Sequence, residues 1–283
     1  MKREEAMTLV QDGIAALNNA LKAGHSDTLK HFLEVMARFH NYSFLNAALI
    51  EGQRPDATHV AGFHTWRKFN RFVRKGESGI AILAPLVGRK QRDDGKQDCG
   101  EDSQKSLFGF KIAYVFDISQ TDGDPLPTIS TSTGDAGEWL TLIEDAIREQ
   151  GIILDEDDIP AGASGCSRPG RISIQPGLDA NDRFAILAHE WAHDILHQRS
   201  ERRAETTKTI RETEAEAVAY TVCHACGIDS TTRSADYIQL YRGTEETLRE
   251  SLTYVQMAAA DIISRIKSRQ SAEKEMTSTA MVA

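Results

Sequence analysis

The sequence predicts an α+β protein of two domains, an α/β module followed by a mainly helical one. Three observations predict it. The chain has 283 residues, longer than the roughly 100–200 residues of a usual single domain. Period-two apolar runs fall in the first half, whereas most of the second half repeats its apolar residues at helical spacing. Between them, residues 119–137 gather Thr, Ser, Asp, Gly and two prolines, a composition that cannot bury enough apolar surface to order itself. The expected division is a first domain over 1–122, a linker over 123–136, a second domain over 137–267 and a mobile tail over 268–283.

Residues 4–22 and 28–51 carry apolar positions at helical spacing, such as Leu29, Phe32, Leu33, Met36 and Phe39, with Gly24 and the cap-like Ser26-Asp27 between them. After Pro55 an extended piece over 58–61 leads into a helix expected over 64–74, which Gly76 stops with a left-handed cap. Residues 80–87 and 108–118 read as strands of an antiparallel hairpin with a long polar connection over 89–106. Beyond the linker, helices are expected over 138–150, 179–197, 208–226 and 245–266, with a short strand near 171–174. Residues 268–283 lack apolar periodicity, and there is no internal repeat.

An apolar fraction of 40% and a charged fraction of 27% are ordinary for a globular chain. No apolar run has the length of a bilayer span, and Met1-Lys2-Arg3-Glu4-Glu5 does not read as a signal peptide, so a cytoplasmic protein without a membrane partner is expected. Cys99, Cys166, Cys223 and Cys226 are too scattered to staple the chain and read as reduced thiols. Cys223 and Cys226 form a CxxC, but a single pair inside a helix reads as burial. The net charge of −9 disfavours general nucleic-acid affinity, yet residues 1–90 hold thirteen Lys and Arg against eight Asp and Glu, a local charge of +5.

His189-Glu190-Trp191-Ala192-His193 is an HExxH pattern within the apolar-periodic run Phe184, Leu187, Ala188, Ala192, Ile195, Leu196. Residues four apart share a helix face with Cβ atoms about 5–6 Å apart, so His189 and His193 can converge on one Zn²⁺. Glu190, one step round the helix, can act as general base toward a water attacking a polarised carbonyl. Other divalent metals can also occupy a site of two His and one carboxylate. His197 lies on the same face but roughly 12 Å along the helix from His189. No glycine breaks the helix before it, so it reads as buried or supporting. Downstream, Glu212, Glu214 and Glu216 lie in an Ala-rich helix; Glu212 and Glu216 share one face and Glu214 points away from it.

The order HExxH, a gap, then ExxxE resembles the gluzincin arrangement. That resemblance implies Glu212 as third ligand and Glu216 as the partner that orients a ligand histidine, with Glu216 as ligand the alternative. In the first half, Tyr42-Ser43-Phe44-Leu45-Asn46, the run from Gln53 to Phe63, Trp66, Val73-Arg74-Lys75-Gly76-Glu77-Ser78-Gly79-Ile80 and the run from Val115 to Thr121 resemble the N-terminal domain of ArdC-like antirestriction proteins. The resemblance implies a single-stranded-DNA-binding domain followed by a zincin-like metallopeptidase domain, and protection of incoming mobile DNA from host restriction.

The basic residues offer independent support. On a helix from His64, Arg67, Arg71 and Arg74 form one stripe beside Lys68 and Lys75, able to track a phosphate backbone. Tyr42, Phe44, Phe63 and Trp66 are aromatic candidates for base stacking, and Asn46 joins the DNA-binding set; Trp66, Phe69 and Val73 at helical spacing read more readily as the buried side of that helix. Three readings follow. In the first, DNA binding delivers a peptidase to an unknown protein substrate, which pairs along an edge strand near 172–174. In the second, DNA binding alone shields the strand. In the third, the protein is a regulatory protease resembling the ImmA/IrrE type, which cuts a DNA-bound repressor.

Overall fold

The computed structural model describes residues 2–23, 26–89, 105–126, 136–157, 159–198, 200–229 and 244–280. Its chain forms two compact units, Met1–Gly13 with Ala48–Leu126, and Ile14–Ala47 with Pro127–Ala283. Helix α1 (Arg3–Lys22) and helix α3 (Phe44–Gln53) each run across a boundary between units, and helix α2 (Ser26–Arg38) belongs to the second.

In the first unit, strand β1 (Val60–Gly62) and strand β3 (Ile80–Arg89) flank strand β4 (Lys105–Asp117) in an antiparallel sheet of order β1-β4-β3. This is the expected hairpin; residues 90–104 of its connection lie outside the described residues. Helix α4 (Phe63–Lys68) follows β1, and strand β2 (Arg71–Val73) pairs antiparallel with β5 (Thr121–Gly123). Buried Asp117 joins these pieces. Its carboxylate accepts from the backbone N–H groups of Thr58 (2.8 Å), His59 (3.0 Å) and Ser119 (2.8 Å) and caps the single 3-10 turn Ile118–Gln120. These bonds hold its pKa below the ordinary value against the opposing effect of burial.

The helix expected over 64–74 ends at Lys68. Asn70 takes a left-handed conformation (φ 54°) that Asn tolerates, and the chain leaves as β2. The partner strand lies some fifty residues downstream, out of reach of any local pattern. Gly123 allows the close approach: a Cβ there would meet the Asn70 carbonyl oxygen at 2.3 Å. Gly123, the first residue of the expected linker, is thus paired in β5, and the first unit runs on to Leu126; residues 127–135 lie outside the described residues.

The second unit holds helix α5 (Ala136–Glu149) and a small sheet of order β6-β8-β7 from β6 (Ile153–Asp155), β7 (Gly165–Arg168) and β8 (Arg171–Ile174). Helix α6 (Ala180–His193) widens into a π turn (Asp194–Gln198), and α7 (Arg202–Glu205), α8 (Lys208–Ala225) and α9 (Glu245–Ala280) follow. Its core includes Leu33, Met36, Trp139, Ile143, Phe184, Leu187, Trp191, Val218, Val222 and Ile262.

The helix expected over 28–51 is broken at residues 39–43. Buried Gln256 of α9 donates to the carbonyls of Met36, Phe39 and Tyr42 (3.4, 3.3 and 3.0 Å), bonding the backbone where the helix ends. Helix α9 also runs past the expected end at 266. Arg269 bonds Asp145 of α5 at 3.0 Å, and Gln270, 2% exposed, donates to Glu138 at 3.2 Å, so the first part of the expected mobile tail packs on α5. Residues 281–283 lie outside the described residues.

Candidate metal centre

Helix α6 starts on Asp179, whose carboxylate accepts from the Asp182 N–H, and buries Phe184, Leu187, Ala188, Trp191 and Ala192. That burial turns the HExxH face toward α8. There Ala215, Ala217 and Ala219 are buried small residues that permit close helix approach, so carboxylates from α8 reach the imidazoles of α6.

His189, His193 and Glu212 could hold a metal ion, since one ligand atom from each lies within 4.8 Å of the others. The two Nε2 atoms are 3.1 Å apart, and Glu212 Oε2 lies 3.7 Å from His189 Nε2 and 3.5 Å from His193 Nε2. A tetrahedral ion bound at about 2.0–2.1 Å has ligand atoms roughly 3.3–3.4 Å apart, so the triangle fits such an ion. Glu216 faces the other ring nitrogen: its Oε2 is 3.1 Å from His189 Nδ1. From there it can hold the ring, whereas Glu212 faces the Nε2 atoms of both histidines.

Charge follows geometry. Burial opposes protonation of His189, but Glu212 and Glu216 outweigh it and push its pKa up to about 10. Glu212 is held far below the ordinary carboxylate range by hydrogen bonds from His189 and His193. Glu190, 8% exposed, is raised by burial against the pull of the two histidines. It also accepts the Ser167 backbone N–H of β7. Gly165 of β7 makes room for it, because a Cβ there would meet Glu190 Cγ and Oε1 at 2.9 Å. A carboxylate with a raised pKa beside a metal cradle is suited to general-base work.

His197 is buried and supports a neighbour, as its position implied, but the partners of His197 and Glu214 were out of reach of sequence reasoning. His197 is 1% exposed and bridges His193 Nδ1 (3.0 Å) and Glu214 Oε2 (3.1 Å). Burial lowers its pKa, opposed by the bond to Glu214. Glu214 does point away from the cradle but is itself 1% exposed, paired with Arg202 at 2.6 Å. Its alternation with Glu212 and Glu216 was legible; the arginine on a separate helix was not. Strand β8 lies between β6 and β7, so among the described residues the edge strand beside Glu190 is β7 and not the one expected near 172–174. The CxxC packs in the core: Cys223 and Cys226 are buried, and burial pushes the Cys226 thiol up to about 12. Cys99 lies outside the described residues.

The expected single-helix basic stripe is not formed. Arg67 and Lys68 end α4 and are exposed, as is Lys75. Arg71, on β2, donates to Thr121 Oγ1 (2.8 Å) and the Thr121 carbonyl (3.0 Å), and Arg74 pairs with Glu77 at 2.7 Å. Both guanidiniums tie the β2–β5 region together. Trp66 is 2% exposed and donates its indole N–H to the Phe116 carbonyl (2.8 Å), and Phe44 is 1% exposed, so neither ring offers a stacking face. Tyr42 is half-buried and Asn46 buried, both in the second unit. Phe63 is exposed in the first unit, together with Phe69, Phe72, Phe108, Phe110 and Tyr114, and Lys111 is exposed on β4. The alternation of Phe108, Phe110 and Tyr114 is visible in sequence, but not which side of the strand is covered.

No helix among the described residues is long and apolar enough to cross a membrane. Residues 5–116 match the N-terminal domain of anti-restriction factor ArdC. An uncharacterised protein of Bacillus anthracis is 28% identical over 273 residues, covering 82% of this chain and 46% of its own length, so the chain spans about half of that relative. The metal-free crystal structure of antirestriction ArdC from the R388 plasmid has 17% identity and a TM-score of 0.53, covering 92% of this chain and 98% of its own. The Mn(II)-bound structure of the same protein has 20% identity and a TM-score of 0.48, covering 91% and 97%. The chain is thus similar to the N-terminal domain of ArdC in sequence over residues 5–116, and ArdC-like in fold.

Proposed function

We propose that this is an antirestriction protein whose first unit binds single-stranded DNA and whose second is a metal-dependent peptidase acting on a protein partner. The observation that carries the reading is the triangle of His189 Nε2, His193 Nε2 and Glu212 Oε2 beside buried Glu190. A divalent ion bound there, Zn²⁺ by preference for this donor set, supplies Lewis-acid polarisation of a carbonyl and of water. His189 and His193 present Nε2, Glu216 fixes the His189 ring, and Glu190 takes the proton of the attacking water and passes it to the leaving amine. An extended substrate segment adds to the edge of β7 by taking over the Ser167 N–H from Glu190 and the Ser167 carbonyl from Gln198, which lays its backbone along the helix that carries Glu190.

For DNA, the match over residues 5–116 supports the assignment to the first unit. Exposed Arg67, Lys68, Lys75 and Lys111 supply the charge, and exposed aromatics such as Phe63 and Tyr114 the stacking faces. Arg71, Arg74 and Trp66 serve the fold. The test is protection of transferred DNA from restriction by the wild type, by Glu190→Ala and by the quadruple Ala variant of Arg67, Lys68, Lys75 and Lys111, with folding of each verified. Both variants are expected to lose protection, Glu190→Ala with its DNA affinity intact. Full protection by Glu190→Ala would show that shielding of the strand suffices and overturn the peptidase reading.

A further inference from the structure

The metal ligand His193 is held from behind by a chain of buried polar groups. Its Nε2 faces the cradle, so in the ligand form its proton sits on Nδ1. That nitrogen lies 3.0 Å from His197 Nδ1, and two ring nitrogens at this distance share one proton. His193 Nδ1–H must therefore donate and His197 Nδ1 accept. The proton of His197 then sits on Nε2, 3.1 Å from Glu214 Oε2, which accepts it. The other oxygen of Glu214 takes Arg202 Nη2 at 2.6 Å. Arg202 Nη1 bonds Glu250 of α9 at 2.7 Å, and the guanidinium lies 4.2 Å over the Tyr254 ring. His197 and Glu214 are 1% exposed and Arg202 is 3% exposed. From His193 to Glu214 each proton position follows from its neighbour.

We propose that His197, Glu214 and Arg202 are positioning residues for the metal centre, a buried relay that fixes the tautomer and ring orientation of His193 and anchors it to α9. The inference rests on the metal-centre reading above. It differs from the Glu216 support of His189 in reaching three residues deep and ending on a separate helix. Burying a histidine, a carboxylate and a guanidinium is costly unless they satisfy one another, and here the satisfied network ends on the ring of one ligand residue, at the nitrogen opposite its ligand atom.

Glu214→Gln tests it without a change of volume. The introduced amide has one acceptor oxygen, which the Arg202 guanidinium claims, and its NH₂ turns to His197 Nε2. That forces the His197 proton onto Nδ1, against the His193 N–H. His197→Leu removes the relay outright. Zn²⁺ affinity is read by chelator competition and ligand geometry by the visible absorption of the Co²⁺-loaded protein, with circular dichroism as the folding control. Leu142→Ala in the α5 core serves as a comparator of purely structural destabilisation. Each relay variant is expected to lose tenfold to a hundredfold in affinity with an altered Co²⁺ spectrum. The double variant should lose no more than His197→Leu alone, and Leu142→Ala should change neither readout. Folded relay variants with wild-type affinity and spectrum would overturn the relay and leave the centre standing. A wild type that takes up neither ion would overturn the centre, and the relay with it.

Discussion

Gly165→Ala is the sharpest test of how the second unit seats its general base. A Cβ at this position of β7 would lie 2.7 Å from Ile186 Cγ2 and 2.9 Å from both Glu190 Cγ and Oε1, where ordinary contact begins near 3.4 Å. Three contacts short by half an ångström or more, all on side chains of the packed α6 helix, amount to overpacking, which costs about 1–3 kcal/mol. For a unit of this size each kcal/mol lowers Tm by about 2–4 °C, so a fall of about 2–12 °C is expected by differential scanning calorimetry. His189, His193 and Glu212 are not among the atoms crowded. Zn²⁺ affinity should therefore stay within about twofold, while protection of transferred DNA drops toward that of Glu190→Ala as the carboxylate is pushed aside. Gly13→Ala is the control: it lies inside α1 with nothing within 4 Å of the added Cβ, and should stabilise by about 0.5–1 kcal/mol. A Gly165→Ala protein that melts at the wild-type temperature and protects as well would refute this account of the site.

Three further outcomes follow from the same geometry. Glu212→Ala should abolish tight Zn²⁺ binding, whereas Glu216→Ala should weaken it only about tenfold to a hundredfold, as removal of a supporting partner does; equilibrium dialysis of the two variants would reverse that order if Glu216 were the ligand. Because the metal-free His189 stays protonated up to about pH 10, Zn²⁺ must displace its proton. Affinity should rise with pH below that value by up to about tenfold per unit, with about one proton released near pH 7.5, and titration calorimetry in buffers of different ionisation enthalpy showing no release would contradict it. Arg71→Ala should cost about 1–3 kcal/mol of stability through its lost bonds to Thr121 without changing the salt dependence of single-strand binding, whereas Arg67→Ala or Lys68→Ala should lower that slope by about 0.7 each; fluorescence anisotropy across a salt series separates the two classes.

Local pattern carried far where the governing interaction is local. The HExxH spacing on an apolar-periodic helix, the period-two hairpin of β3 and β4, and the four-residue step from Glu212 to Glu216 all depend on neighbours within a turn or a pleat. The expected 64–74 helix failed because Arg71-Phe72-Val73 finds a strand partner at Thr121–Gly123, and long-range pairing outweighs a weak helical preference. The arginine stripe failed with it, since its periodicity assumed the helix. The break at residues 39–43 depends on Gln256, more than two hundred residues away in sequence.

The sequence by itself determined that His189, Glu190 and His193 share one helix, that Glu212 and Glu216 share a face of another, and that the first half is basic, because these follow from residue type and helical period. Only the tertiary structure decided which cations remain exposed, which strand offers its edge beside Glu190, and that His197, Glu214 and Arg202 stand behind His193. Those are questions of burial and of pairing between distant elements. A buried polar side chain and a solvated one are the same letter in the chain, and they differ only in whether another element arrives to satisfy them.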